Sequence, residues 1–230
     1  MLIKSGEHVH LAQLLTFMVL GEQLAHDCAH AQICLAPAPG MKKFLASQAR
    51  QEGYHALAFQ GAIRWLTPQS RHPSPMSEHM NAYRKLLEDA IDRRDFAETL
   101  VAEQIILEGL GEAILKKIEA GLAKRGAPFH RLRRMLIHQE EAHHQFGLRA
   151  LTAMLERDEE CDETLRDRTQ KYLPLAKTLL FSAQDAFYSI NEDPQEYWNE
   201  FQQHLPVWLY THSSQPHHSR FFPLAACIHS

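Results

Sequence analysis

Apolar residues recur at intervals of three and four positions along nearly the whole chain, and this spacing is the strongest constraint on its fold. Runs that alternate apolar and polar residues, as a half-buried strand would, are almost absent. The sequence therefore predicts an all-α protein. Of the 230 residues, 45% are apolar, which is enough to bury a substantial core, and no linker or short-period repeat is visible. We expect a single domain over 1–230.

Breaks in the apolar pattern divide the chain into four long helices and several shorter ones. The four long helices are expected at 7–34, 41–66, 95–124 and 129–157. Proline and glycine occupy the two short breaks, at 37–40 and 125–128. After the core bundle, which we expect at 7–157, the pattern predicts a C-terminal helical extension at 162–211 and an irregular tail at 212–230.

The connection between the second and third long helices is too long for a simple up-down-up-down bundle. It contains a Pro- and Ser-rich loop at 67–75 and a helix at 76–93, and that helix spans about 27 Å at about 1.5 Å per residue. This length matches that of a bundle. Two antiparallel hairpins joined by one long crossover form the ferritin-like four-helix bundle, in which di-metal carboxylate sites are built in the core. We predict this arrangement here.

Charge and hydropathy exclude several classes of function. The chain has 24 basic and 28 acidic side chains, which is too balanced for a surface that binds polyanions. No apolar run approaches the length of a membrane span, and no signal peptide fits the N-terminal region. We therefore expect a cytoplasmic protein that binds no nucleic acid and has no membrane span.

Charged side chains interrupt the apolar faces of the long helices. Glu22 lies in the apolar stripe of the first helix, and the motif Gln-Glu-x-x-His places one Glu and one His at the centre of the second and fourth stripes. These residues are Glu52 and His55, and Glu140 and His143. Burying an unpaired carboxylate is costly, whereas metal cations compensate several carboxylates at once. The pattern predicts a metal centre in the core.

The third helix offers two candidates for one more carboxylate. Glu103 fits its apolar stripe better, whereas Glu108 lies level with Glu140 in an antiparallel hairpin, because the two are about 18 and about 14 residues from the turn. Glu103 is roughly 13 Å out of level with Glu140 along the helix axis. We therefore prefer Glu108, with Glu112, one turn further along the same face, as its substitute.

The predicted ligand set has four carboxylates and two imidazoles at matched heights: Glu22, Glu52, His55, Glu108, Glu140 and His143. Glu141 and His144 form a competing pair at the edge of the fourth stripe, and His26 is a neighbour of Glu22 that would lie beside the metal. An oxygen-rich set favours iron or manganese over zinc. A metal-free helical module that binds a partner is the alternative interpretation.

These residues resemble the ferritin-like di-iron carboxylate superfamily, and within it the aldehyde-deformylating oxygenases. The stretch 21–27, Gly-Glu-Gln-Leu-Ala-His-Asp, is similar to the first ligand stretch of that family, and 95–108 aligns with its third helix without a gap. The stretch 139–147 resembles its Asp-Glu-x-x-His followed by an aromatic residue and Gly. The chain departs from the family at Leu115, where a Tyr is usual.

The resemblance implies an oxidoreductase with two iron ions, Fe2+ or Fe3+, with manganese or a mixed Mn/Fe pair as the other metal contents. It implies that the six ligand residues hold these ions, that dioxygen is activated with electrons from an external donor such as a ferredoxin system, and that a small apolar substrate reacts. In the family, a fatty aldehyde becomes an alkane and formate. A ferritin-like ferroxidase without an organic substrate is the alternative, although the long interval between Glu52 and Glu108 and the long C-terminal extension favour the oxygenase.

Apolar residues near the ligands on the first two helices are expected to line a pocket for that substrate. They are Leu15, Met18, Val19, Ala56, Phe59 and Ile63.

Overall fold

The computed structural model describes residues 7–67, 76–124, 126, 129–157 and 162–209. The regular elements in these ranges are all helical, which confirms the prediction of an all-α protein. The α-helices are α1 (Glu7–Gln32), α2 (Pro39–Leu66), α3 (Met76–Asp92), α4 (Phe96–Leu100), α5 (Glu108–Lys124), α6 (His130–Glu156), α7 (Asp162–Thr169), α8 (Tyr172–Ser182), α9 (Gln184–Ser189) and α10 (Pro194–His204). A π-helix (Val101–Leu107) joins α4 to α5, and a 3-10 turn (Val207–Leu209) follows α10. Most of the predicted loop 67–75 and the predicted tail 212–230 lie outside the described residues.

Local sequence explains several of the helix ends. α2 begins at Pro39, two residues earlier than predicted, because the first turn of a helix does not need the N–H that proline lacks. The Asp95 side chain caps α4 by accepting a hydrogen bond from the backbone N–H of Glu98 at 3.0 Å. Asp193 caps α10 in the same way, and Pro194 occupies its first turn.

Two helix hairpins and a crossover form the bundle. α1 packs along α2, and α6 packs against both α5 and the π-helix. The crossover helix α3 lies against α1 and α4. This is the ferritin-like connectivity that the sequence predicts. No helix among the described residues is both long and apolar enough to cross a membrane.

The C-terminal helices pack on the bundle and extend its core. α8 lies against α3 and the π-helix, α10 against α5, and α9 against α1. Their large aromatic residues are buried in the same apolar cluster as the bundle residues: Tyr172, Phe187, Tyr197 and Phe201. The extension therefore closes the side of the bundle on which the third long helix lies.

The third long helix is not α-helical throughout, and the sequence did not predict this. At the end of the π-helix, the backbone N–H of Glu108 donates to the carbonyl of Glu103, five residues earlier. In a regular α-helix, side chains five residues apart diverge by about 140° around the axis. The π turn contains one more residue than an α turn, so Glu103 and Glu108 lie on the same face.

Gly147 brings α6 close to the π-helix. A Cβ atom at this position would overlap the Cβ atom of Gln104 and would also touch Ile105. Only glycine avoids this overlap, so the absence of a side chain at 147 sets the distance between the two helices. His143 lies one turn before Gly147 on α6 and is held at a fixed distance from the π-helix by this contact.

Candidate metal centre

The six predicted ligand residues are buried, and their side chains meet at the centre of the bundle. They form two groups of four, and in each group one oxygen or nitrogen atom per residue lies within 4.8 Å of the others. The first group is Glu22, Glu52, His55 and Glu140, and the second is Glu52, Glu108, Glu140 and His143. Glu52 and Glu140 belong to both groups, so the groups adjoin along these two carboxylates.

The His55 ring turns one nitrogen towards the first group. Its Nδ1 atom lies 2.9 Å from Glu140, 3.1 Å from Glu52 and 3.3 Å from Glu22. Its Nε2 atom lies 2.8 Å from Oε1 of Gln139 on α6. Because that amide oxygen can only accept, the Nε2–H of His55 donates to it, and Nδ1 faces the carboxylates.

His143 repeats this arrangement in the second group. Its Nδ1 atom lies 2.8 Å from Oε1 of Glu52 and 3.6 Å from Oε2 of Glu108. Its Nε2 atom lies 2.7 Å from Oε1 of Gln51 on α2. Histidines that bind metals usually donate their second ring N–H to a neighbouring acceptor, which fixes both the tautomer and the ring orientation. Both histidines of the cluster meet this condition.

Burial and repulsion separate the pKa values of the carboxyl groups. Burial raises the pKa of Glu22 to about 8. A hydrogen bond with His55 lowers this pKa, but its effect is smaller than that of burial. Burial and the charge of Glu108 also raise the pKa of Glu140 well above its usual range. The pKa of Glu108 falls instead, because hydrogen bonds with Glu140 and His143 outweigh the effect of burial. The same surroundings therefore raise the pKa of two carboxyl groups and lower that of a third.

The two imidazoles balance part of this negative charge. Burial lowers the pKa of His143, but contacts with Glu108 and Glu52 raise it to about 10. Burial also lowers the pKa of His55, but hydrogen bonds with Glu140, Glu22 and Glu52 outweigh it and raise this pKa above its usual range. The raised pKa values favour the protonated form of both rings in the metal-free protein, and a metal ion bound at Nδ1 would replace that proton.

Several atoms of the cluster have close ion-pair contacts but make no hydrogen bond of regular geometry within the described part of the chain. They are both carboxylate oxygens of Glu52, Oε1 of Glu140 and Nδ1 of His143. Buried polar atoms normally have partners, so their convergence at one point requires an explanation. Metal–ligand bonds would satisfy all of them, and oxygen with imidazole donors suits iron or manganese. The residues present therefore fit a pair of metal ions.

Both candidates on the third long helix reach this region. Glu108 belongs to the second group, and Glu103 lies beside it but in neither group. The Nε2 atom of Gln48 donates to Oε1 of Glu108 at 2.9 Å and to Oε1 of Glu103 at 3.2 Å. Burial and the charge of Glu108 raise the pKa of Glu103 well above its usual range. The apolar stripe of the helix indicated Glu103, and the axial level indicated Glu108. The π turn places both residues at the cluster, so each criterion identified a residue that reaches it.

The remaining alternatives lie outside both groups. Nδ1 of His144 lies 2.9 Å from Oε2 of Glu112, and Nζ of Lys116 lies 2.6 Å from Glu112 and 2.7 Å from Glu141. The Glu141 side chain is partly exposed. Nδ1 of His26 lies 2.6 Å from a backbone carbonyl oxygen of α2. Glu112 and Glu141 thus pair with a surface lysine, and His26 connects α1 to α2.

Three glutamines that the sequence did not indicate as site residues make hydrogen bonds to the cluster. Gln51 and Gln139 immediately precede the Glu of each Gln-Glu-x-x-His motif, so their repetition was an available signal. Gln48, one turn before Glu52, carries no such signal, because an isolated glutamine at a core position also occurs in ordinary helices.

A small apolar cavity of about 50 Å³ adjoins the cluster. Three predicted ligands form its polar wall: Glu22, Glu108 and Glu140. The other lining residues are Phe17, Met18, Gly21, Ala25, Met80, Leu107, Leu110, Gly111, Ile114 and Leu179. This volume accommodates one or a few water-sized molecules and is well below the roughly 300 Å³ at which small-molecule sites begin.

The lining of this cavity overlaps the predicted substrate pocket at one residue. Met18 lines it, but the other five residues predicted for the pocket do not: Leu15, Val19, Ala56, Phe59 and Ile63. The cavity is bounded by α1, α3, the π-helix, α5, α6 and α8, whereas the predicted pocket residues lie on α1 and α2. α1 packs against helices on several sides. Its apolar pattern therefore does not show which of its faces are closely packed and which face borders a cavity.

Comparison with known proteins shows a likeness to solved structures. No protein-family model matches the chain, and no curated protein matches it. The chain is similar to a solved structure described as "Protein 19 with aldehyde deformylating oxidase activity from Synechococcus". The TM-score is 0.69 at 20% sequence identity, and the match covers 87% of this chain and 88% of that chain. At this identity the likeness bears on the fold, and it confirms the ferritin-like helical bundle.

Proposed function

We propose that the protein is a non-haem di-iron oxidoreductase that activates dioxygen for the oxidation of an apolar organic substrate. The observation that carries this proposal is the pair of four-residue groups that share Glu52 and Glu140. Each group offers three carboxylates and one imidazole, and the shared carboxylates lie where they would bridge two ions.

The two metal positions would use different terminal residues. Glu22 and His55 would hold one ion, and Glu108 and His143 the other. Iron bound there would supply the redox and Lewis-acid chemistry that dioxygen activation requires. The protein would fix the imidazoles through its glutamines, neutralise the metal charge with carboxylates and keep bulk water away with the apolar cavity wall.

An aldehyde or a similarly apolar molecule is the organic substrate that we propose, with electrons from an external donor such as a ferredoxin. Two features support it: the sequence resemblance at 21–27 and 139–147, and the wall of the cavity, which is apolar apart from three carboxylates. Since the cavity holds only about 50 Å³, an alkyl chain would enter only if side chains along the wall rotate.

A ferroxidase that oxidises Fe2+ without an organic substrate is the second candidate. The small volume of the cavity favours it, because dioxygen fits there without rearrangement and an alkyl chain does not. The two candidates use the same metal ligands, so the organic product distinguishes them.

Metal analysis followed by exposure to oxygen tests the proposal. Protein reconstituted with Fe2+ under anaerobic conditions should bind about two irons per chain and should develop a transient absorption band when oxygen is admitted. Glu52→Ala should lower the iron content, whereas Glu141→Ala, on a residue outside both groups, should not. Aldehydes are then supplied with a reducing system. An organic product supports the oxygenase, and oxygen consumption that accumulates Fe3+ without such a product supports the ferroxidase. No bound metal in the unaltered protein would refute both.

A further inference from the structure

Glu103 is a buried carboxyl group that the six-residue cluster leaves unexplained. Its side chain is 0% exposed, and its Oε2 atom has no hydrogen-bond partner among the described residues. A buried polar atom without a partner is costly, and alanine, leucine or glutamine would avoid that cost. The position therefore holds a carboxyl group for a reason other than packing.

The backbone is distorted where it presents this residue. The π turn ends with the hydrogen bond from the N–H of Glu108 to the carbonyl of Glu103. Single π turns inside α-helices are rare and occur mostly at functional sites. Here the turn has one clear geometric effect, because it directs two carboxyl groups of one helix towards the cluster instead of one.

The two carboxyl groups share a single donor. Nε2 of Gln48 lies 2.9 Å from Oε1 of Glu108 and 3.2 Å from Oε1 of Glu103. The orientation of the Gln48 amide is fixed, because its Oε1 accepts from Nε2 of Gln104 at 3.3 Å. Gln104 in turn exchanges two hydrogen bonds with Gln32, at 2.6 and 2.9 Å. A buried chain of amides therefore holds the NH2 group of Gln48 between Glu103 and Glu108, with one hydrogen available for each.

We propose that Glu103 is a seventh protein donor of the metal centre and exchanges with Glu108 as the terminal carboxylate of the second metal position. This inference rests on the proposed di-metal function. The exchange is a ligand substitution in which one carboxylate–metal bond forms as another breaks, so it needs no oxidant or reductant. Gln48 keeps its hydrogen bond to the carboxyl group that is released, which stabilises both arrangements.

Cobalt binding to single and double variants of the full chain tests the exchange. Co2+ is titrated into metal-free protein, and both stoichiometry and visible absorption are recorded. The unaltered protein should bind about two ions, and Glu108→Gln should still bind two, with the second about tenfold weaker and with a changed spectrum. Glu103→Gln should bind two ions nearly as tightly as the unaltered protein. The double variant Glu103→Gln with Glu108→Gln should retain about one ion. The second position then lacks both candidates for its terminal carboxylate and keeps only the two shared carboxylates and His143.

Glu112 provides the matched control. It lies one turn beyond Glu108 on α5, on the side away from Glu103, and belongs to neither group of four. Adding Glu112→Gln to Glu108→Gln should leave the cobalt stoichiometry of the single variant unchanged. Urea unfolding of each metal-free variant verifies that it is folded, and Glu103→Met in the Glu108→Gln background serves as a second double variant of similar volume.

The outcomes separate this inference from the proposed function. If the double variants bind cobalt as Glu108→Gln alone does, Glu103 is not a donor, and the di-metal proposal stands. If the unaltered protein binds no metal, both proposals fail. A selective loss of the second ion in both double variants, but not with Glu112→Gln, establishes the exchange.

Discussion

Oε1 of Gln51 on α2 lies 2.7 Å from Nε2 of His143 on α6, and the reverse pair joins Gln139 on α6 to His55 on α2 at 2.8 Å. Each Gln-Glu-x-x-His motif therefore orients the histidine of the other motif. Two reciprocal hydrogen bonds thus connect α2 and α6 next to the shared carboxylates Glu52 and Glu140. Substituting the glutamine of one motif is therefore expected to affect the histidine of the other.

Removing either glutamine should weaken metal binding without removing a ligand. In Gln51→Ala and Gln139→Ala the facing imidazole loses the acceptor for its Nε2–H, so the lone pair of Nδ1 is no longer held towards the metal. We expect metal affinity to fall about 10- to 100-fold at unchanged stoichiometry. Competition between the protein and a chelator for Fe2+ or Co2+ measures this affinity.

Two further variants make this test specific. Gln139→Glu keeps an acceptor oxygen for His55, and it should retain more of the affinity than Gln139→Ala. Gln23→Ala changes an exposed glutamine next to Glu22 and should have no effect. If both alanine variants bind metal as tightly as the unaltered protein, the reciprocal pairs are structural contacts only.

Helical periodicity was sufficient to predict the bundle, because each long helix buries one face along most of its length. Helix length then predicted that Glu22 and Glu52 would meet, since both lie at similar distances from the same turn. Glu103 and Glu108 could not be predicted to share a face. The π turn between them packs against α6 and α8, and the helical pattern of the sequence does not reveal a hydrogen bond between residues five apart.

The position of the cavity was unpredictable for a related reason. Phe17, Gly21 and Ala25 line it, whereas Leu15 and Val19, on other faces of the same helix, do not. All of these residues are apolar or small, so the sequence does not show which neighbouring helix fills its side of α1. That depends on α3 and α8, whose placement is set by the whole fold.

Gly147→Ala should destabilise the protein, because the new methyl group would overlap Gln104 on the π-helix. Overpacking of this kind typically costs about 1–3 kcal/mol. The free energy of unfolding in urea measures it. As the matched control, Gly61→Ala lies in α2, where an added Cβ has nothing within 4 Å. It should stabilise the protein by about 0.5–1 kcal/mol through helix propensity. Equal effects at the two positions would contradict the close approach at Gly147.

Filling the cavity should slow the reaction with oxygen while leaving the metal in place. Gly111 lines the cavity, and an added Cβ there meets nothing within 4 Å, so a side chain at this position begins in open space beside the cavity. The larger side chain of Gly111→Leu should therefore fill the cavity. We expect unchanged iron stoichiometry and a several-fold slower rise of the oxygen-dependent absorbance in stopped-flow measurements. Gly121→Leu is the control, since it lies on α5 away from the cavity and is equally free of neighbours. An unchanged rate in Gly111→Leu would exclude the cavity as the route for oxygen.

Glu98 is a buried carboxylate outside the metal cluster, and cationic and hydroxyl groups surround it. Its side chain is 0% exposed, and it accepts hydrogen bonds from Arg93 at 2.7 Å and from Tyr172 at 2.8 Å. The Lys171 ammonium lies 2.9 Å away. Burial raises the pKa of Glu98, but the bonds from Lys171, Tyr172 and Arg93 outweigh it and hold the pKa below its usual range. These contacts connect the start of the third long helix to α3 and α8.

Glu98→Gln should destabilise the protein at pH 7 by about 2–3 kcal/mol, because two cations lose their buried partner. The carboxylate of Glu98 contributes its full stabilisation above the pKa of glutamate in the unfolded chain, about 4.3, and loses it as the pH falls through the lower pKa of the folded state. The difference in unfolding free energy between the unaltered protein and Glu98→Gln should therefore be constant from pH 7 to about pH 5 and should shrink below about pH 4. Urea unfolding at several pH values measures this, with the exposed Glu88→Gln as the control. A difference that does not vary with pH would mean that Glu98 acts through packing rather than through its charge.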